Sequence, residues 1–254
     1  MAPVAGSGPL VVAVAQPPCV PGDAGTNAAA HAAAVRSAGA RVVVFPEMSL
    51  TGYLFDAPAV DGDDAVLAPI VGACAETGTV ALVGAPVRGR GGRSIGVLAV
   101  DGDGGRVAYR KMFLGGAEPA SFVPGTEPAV VEVDGWRLGV AVCKDTGVAE
   151  HAARTCAPGV DVYVAGVLEH PEDAAVVERR ARRIAAEHGV WAAFASFAGS
   201  AGGGYEAAPG GSGIWQPDGV VRARAGAEPG AVARAAVPPP ATPTRGAGHD
   251  GPQP

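Results

Sequence analysis

The chain has 254 residues, 48% hydrophobic and 17% charged, with a formal net charge of -6. Such a length and apolar content suit a folded chain with a sizeable core and exclude general disorder. The acidic balance argues against nucleic acid or an anionic membrane as partner, and no apolar run is long enough to span a bilayer.

Residues 1–9 are small and Gly/Pro-rich, and a flexible N-terminus is expected there. "LVVAVA" (Leu10 to Ala15) is a continuous apolar run, the pattern of a strand buried on both faces. "TNAAAHAAAVRSAGA" follows as a helix, with Thr26 or Asn27 as its cap and Gly39 at its end. "RVVVFP" (Arg41 to Pro46) is a second buried strand. Strand, helix and strand at this spacing predict a βαβ unit. A second helix is expected from about Asp63 to Glu76, leading into the strand "TVALVGAP". "SIGVLAV" and "RVAYRK" flank Asp101-Gly102 as a hairpin, and "AVVEV" and "WRLGVAVC" flank Asp134-Gly135 in the same way. "VDVYVAGV" is a strand, and "EDAAVVERRARRIAAEH" is a helix that ends at Gly189. "VWAAFASFA", "GSGIWQ" and "VVRARA" supply the last strands, with Pro217-Asp218-Gly219 as a turn. From 237 onward a Pro/Gly-rich tail is expected to be disordered. The whole predicts one α/β domain over 10–236, built from two sheets with helices outside them.

Three reactive side chains stand just past predicted strands: Glu47 in "VVVFPEMSLTGY", Lys111 in "AYRKMFLGGAEPASFVPG" and Cys143 in "LGVAVCKD". Ligands gather at the carboxyl ends of strands in open α/β sheets, so three strands can deliver an acid, an amine and a thiol to one pocket. Taken singly, each has a plain reading as core packing or solvated charge. Taken together they fit nucleophilic chemistry. A thiol is only a few per cent ionised at pH 7 and needs a base, and the oxyanion it creates needs donors. His151 offers an alternative Cys/His pairing. No H-E-x-x-H or other metal-ligand spacing is present. The cysteines Cys19, Cys74, Cys143 and Cys156 are widely spaced, which points to free thiols in a soluble cytoplasmic protein.

"FPEMSLTGY", "YRKMFLGGAEPASFVPG" and "LGVAVCKD", in this order, resemble the Glu, Lys and Cys motifs of the carbon–nitrogen hydrolase family, also called the nitrilase superfamily. "VAVAQ", "RARRIAAEHGVWAAFAS" and "GGSGIWQPDG" extend the likeness over roughly Leu10 to Ala225. The resemblance implies a four-layer αββα sandwich. It implies Glu47 as general base, Lys111 as catalytic lysine, Cys143 as nucleophile and Glu118 as a second acid that positions lysine and substrate. Tyr53, Lys144 and Asp145 are candidate substrate-binding residues. The implied reaction is hydrolysis of a small amide or N-carbamoyl compound through a thioester, with no metal or organic cofactor, in a homodimer or larger homo-oligomer. Lys144, Gly147 and Ala149 depart from residues common in the family after the cysteine. The Trp-Glu pair common after the cysteine in true nitrilases is missing, which favours amide over nitrile chemistry. A nitrilase and a non-catalytic binder that kept the fold are the rival readings. The Arg179, Arg180, Arg182, Arg183 cluster is expected to form a solvated helix face, and "GSAGGGYEAAPGG" a mobile loop at the pocket rim.

Overall fold

A computed structural model describes residues 8–239. The chain runs β1 (Leu10–Ala15), α1 (Ala24–Ala38), β2 (Val42–Val44), α2 (Ala68–Thr77), β3 (Val80–Gly89), β4 (Gly92–Asp101) and β5 (Gly104–Arg110). It continues with β6 (Ala129–Val133), β7 (Trp136–Val142), α3 (Ala149–Cys156), β8 (Val162–Val167), α4 (Ala174–His188) and β9 (Trp191–Ser196). The short strands β10 (Ala198–Gly199) and β11 (Ala208–Pro209) follow, then β12 (Gly213–Trp215), β13 (Val221–Arg224) and β14 (Val232–Val237).

Two six-stranded sheets result, in the orders β14-β1-β2-β3-β4-β5 and β13-β12-β9-β8-β7-β6. In each, a parallel centre (β1, β2, β3 and β7, β8, β9) carries antiparallel strands at its flanks. Alternation along each strand explains the layering. Val12 and Val14 of β1 join Leu138 and Val140 of β7 in a core between the sheets. Ala13 and Ala15 face the other way and pack with Ala28, Ala32 and Val35 of α1. Tyr163 and Ala165 of β8 pack with Ala181 and Ile184 of α4 on the far side. The result is helices, sheet, sheet, helices, the αββα sandwich expected.

Both Asp-Gly hairpins form as expected. Asp134 and Gly135 take φ of 51° and 83°, the positive pair that a two-residue type I′ turn requires. One local expectation is corrected, and two elements lie outside those expected. Asp23, not Thr26 or Asn27, caps α1, accepting from the Thr26 N–H. β14 was not anticipated: its Ala/Arg alternation has little strand propensity, and pairing along the whole of β1 makes the strand. α3 spans eight residues, too few for a clear period. The expected flexible start and disordered tail lie mostly outside the described residues, although Val237 itself closes β14.

At the end of β2 the two sheets meet backbone against backbone. A side chain at Gly166 of β8 would put its Cβ 2.6 Å from the Phe45 carbonyl oxygen and 2.8 Å from the Glu47 nitrogen. Gly84 of β3 leaves the same room on the other side, against Pro46 and Met48. The Pro46–Met48 backbone is thus gripped between two glycines, and Met48 is held at a φ of 51°. Gly166→Ala is expected to cost about 1–3 kcal/mol through overpacking and to lower turnover by displacing Glu47. Urea unfolding and a turnover assay on the same protein check both effects.

Candidate active site

Lys111 and Cys143 follow β5 and β7 directly, Glu47 lies three residues past β2, and the sandwich brings all three to one cavity of about 470 Å³. Glu47 and Lys111 are almost wholly buried, at 2% and 1% exposure. α1 fixes the loop behind Glu47: the Asn27 amide donates to the Leu50 carbonyl at 3.0 Å, and His31 Nε2 meets Ser49 Oγ at 2.8 Å. Burial pushes the His31 pKa down to about 4, which keeps this internal strut neutral.

Lys111 Nζ donates to Glu47 Oε1 at 2.7 Å and to Glu118 Oε1 at 2.6 Å. Glu118 opens a short 3-10 turn, and its second oxygen accepts from the Gly115 N–H at 2.7 Å. Tyr53 donates its hydroxyl to Glu118 Oε1 at 2.6 Å. One ammonium therefore serves two buried carboxylates and keeps a third N–H for another partner. Burial pushes the Glu47 carboxyl up to about 7, with Lys111 opposing and Glu118 adding to the rise. For Lys111, burial acts to lower the pKa, but Glu47, Cys143 and Glu118 outweigh it and hold the ammonium firmly protonated.

Cys143 takes a φ of 39°, a conformation rarely tolerated by a residue with a side chain, and begins the 3-10 segment Cys143–Gly147. This turn carries the thiol out of the strand, where Sγ lies 3.4 Å from the Leu168 carbonyl oxygen. Burial, then the charge of Glu47, pushes the thiol well up, with Lys111 opposing, so the resting group is a thiol. Such a group requires a base before it can attack.

Lys144 and Tyr53 line the cavity beside these groups. Asp145 does not, which corrects its expected contact with substrate. It is fully buried, and its oxygens accept from Tyr109 Oη at 2.8 Å, Phe113 N at 2.9 Å and Val142 N at 3.0 Å. Asp145 thereby ties the lysine loop to the cysteine turn. His151 is buried in the same network, bonded to Tyr109 and Tyr163 at 2.8 and 3.0 Å, and stands apart from the cavity lining.

Among the lining residues that sequence reasoning did not single out, four carry polar groups. Glu169 and His170 follow β8. Arg180 belongs to the arginine cluster read as a solvated face, yet it lines the cavity and pairs with Glu169 at 2.9 Å. Tyr205 sits in the Gly-rich loop, which does reach the rim. Its ring stacks on His170 at 4.2 Å and meets Tyr53 edge-on at 5.2 Å, which holds the loop against the cavity lining. The strand-end position of Glu169 was a usable signal. For Arg180 there was none, because four arginines in five positions look alike in sequence.

No helix among the described residues is long and apolar enough to cross a membrane. Residues 11–244 match the sequence profile of the family described as carbon-nitrogen hydrolase. A hydrolase encoded in the pqqF 5' region of Pseudomonas protegens is 31% identical over 206 residues, 77% of this chain and 72% of that one. An amidase from a Nesterenkonia species is similar in structure, with a TM-score of 0.79, 26% identity and 90% of each chain covered. A cysteine-to-alanine form of that amidase in complex with butyramide gives a TM-score of 0.80 at 26% identity, over 90% of this chain and 91% of that one. A further form carries the acetamide moiety of fluoroacetamide on its active-site cysteine, with a TM-score of 0.80 at 25% identity over 90% of each chain. With a match that runs nearly end to end and amidases among its structural neighbours, the chain belongs to the carbon–nitrogen hydrolase family and is an enzyme of that class.

Proposed function

We propose that the chain hydrolyses a small amide or N-carbamoyl compound through a thioester on Cys143. The observation that supports this most is the buried Lys111 bridge between Glu47 and Glu118 in the cavity that Cys143 enters. A buried ion cluster of this kind is a poor device for stability, since desolvation offsets much of its attraction. It is a good device for placing a base and a cation beside a thiol.

Glu47 takes the thiol proton as Sγ attacks the carbonyl carbon. The oxyanion meets the free donor of Lys111 and the Lys144 backbone N–H, each worth up to about 3 kcal/mol in the transition state. Collapse breaks the C–N bond, and Glu47 returns its proton to the departing ammonia or amine. Water, deprotonated by Glu47, then attacks the thioester, and the acid leaves with Cys143 again a thiol. Tyr53 holds Glu118, and Glu118 holds Lys111, so the cation keeps its place through the cycle. The free thiols fit a reducing cytoplasmic setting. The family likeness supports assembly to at least a dimer, which light scattering tests.

Ammonia release from a panel of small amides and N-carbamoyl compounds, with the acyl-enzyme trapped at Cys143 by peptide mass spectrometry, tests the reading. Ammonia from nitriles and none from amides would overturn it. The pH profile is a further check. Glu47 works as a base only when deprotonated, so kcat/KM should fall as pH drops through about 7. Alkylation of Cys143 by iodoacetamide should share that acid limb. In Glu47→Gln the limb should move to alkaline pH, where the thiol must ionise unaided.

A further inference from the structure

The mechanism leaves one wall of the cavity unused. Glu169 Oε1 lies 3.9 Å from Cys143 Sγ and accepts from Arg180 Nη1 at 2.9 Å. Both side chains are largely covered, at 17% and 24% exposure for Glu169 and Arg180. Among the described residues, no donor bonds Glu169 Oε2. Gly147 lets the guanidinium sit close: a Cβ there would stand 3.2 Å from Arg180 Nε. The bare glycine admits the guanidinium, and the guanidinium holds the carboxylate beside the sulfur. With its charge offset by Arg180, Glu169 offers a hydrogen-bond acceptor rather than a site for a free cation.

The carbon attacked by Cys143 then has four neighbours: Sγ, the oxygen, the departing nitrogen and the group that stays. Lys111 and the Lys144 N–H take the oxygen, and Glu47 serves the nitrogen. Building on the thioester reading, we infer that Glu169, held by Arg180, accepts an N–H or O–H from the group that stays, carried at the atom bonded to the carbonyl carbon. The substrate class is then ureido compounds and α-hydroxy or α-amino amides, in preference to plain aliphatic amides. An alkyl group in that place covers a carboxylate oxygen without donating to it. A buried acceptor left without a partner is what makes a polar site reject the analogue that lacks the donor.

Matched ligands test this by NMR titration into the Cys143→Ala protein, which binds without turning over. N-methylurea differs from propionamide by N–H for CH2, and lactamide differs from isobutyramide by O–H for CH3. Each donor ligand should bind at least about tenfold tighter than its alkyl partner. Adding Glu169→Leu should bring both ratios close to one, and so should Arg180→Leu, which releases the carboxylate. Adding Glu169→Gln, which keeps an acceptor of the same size, should preserve most of the preference and separates it from damage to the fold. Equal binding within each pair in Cys143→Ala, or ratios unchanged by Glu169→Leu, would overturn the assignment. Ammonia release by the unmodified protein from the same four compounds tests the hydrolytic reading separately. No ammonia with the binding ratios intact sinks that reading alone, and ammonia with ratios near one sinks this inference alone.

Discussion

Cys143→Ala is expected to abolish turnover of every substrate, a loss on the order of 100,000-fold, as for other nucleophiles that act as part of a unit. Its effect on stability should stay below about 1 kcal/mol. The side chain is small and only partly buried, and its two partners, the Leu168 carbonyl oxygen and Glu169 Oε1, lie 3.4 and 3.9 Å away, long contacts that a thiol bonds weakly. Ammonia release and urea unfolding, measured together, check the pair of expectations. Residual turnover within tenfold of the parent would mean that the thiol does not attack. The same experiment on Glu47→Gln should show a comparable loss, since the thiol is held well above its ordinary pKa and cannot ionise readily without a base. The two losses should not add, because nucleophile and base serve one step.

Lys111→Met should remove turnover as well, but with a different signature in stability. It leaves Glu47 and Glu118 buried around a cation that is gone, and breaking a buried pair in this way costs about 3–5 kcal/mol. The cost depends on pH, and its sign follows from Glu47. Burial already raises that carboxyl to about 7, and Lys111 is the main influence opposing the rise. Without the ammonium the folded-state pKa climbs further above the unfolded value of about 4.3. A raised carboxyl binds its proton better in the folded state, so the stability it supports is present at acid pH and lost as pH rises through the folded pKa. The gap between variant and parent should therefore be small near pH 4 and largest above pH 8. A gap that widens toward acid would show that the carboxylates are not shielded by Lys111 in the way the distances indicate.

Much of this site could be read before any fold was known, for a physical reason. Glu47, Lys111 and Cys143 each interrupt an apolar run at the point where a strand must end, and each sits inside a distinctive motif. Glu118 and Tyr53 came with those motifs. Other parts needed the third dimension. Asp145 looked like a pocket residue because it stands two positions from the nucleophile, yet a turn of 3-10 helix rotates it into the protein, where three donors claim it. Arg180 lies 37 positions beyond Cys143, on a helix whose polar face gave no hint of a cavity. β14 shows the same limit in the fold: "VARAAV" becomes a strand only because β1 presents an open edge to it.

The grip of Gly84 and Gly166 on the Glu47 backbone makes the sandwich a caliper set on its own base. At that point nothing but main chain separates one sheet from the other, so no side chain can yield when their spacing changes. A substitution between the sheets, such as Leu82→Ala or Val164→Ala, need not come near the cavity to be felt there. It alters the gap, and the gap moves Glu47 relative to a sulfur anchored in the opposite sheet. A misplacement of about 1 Å between reacting groups can cost on the order of a hundredfold in rate. The interior of this protein is therefore tuned as well as filled, and packing changes mild enough to leave it folded will register first as lost catalysis.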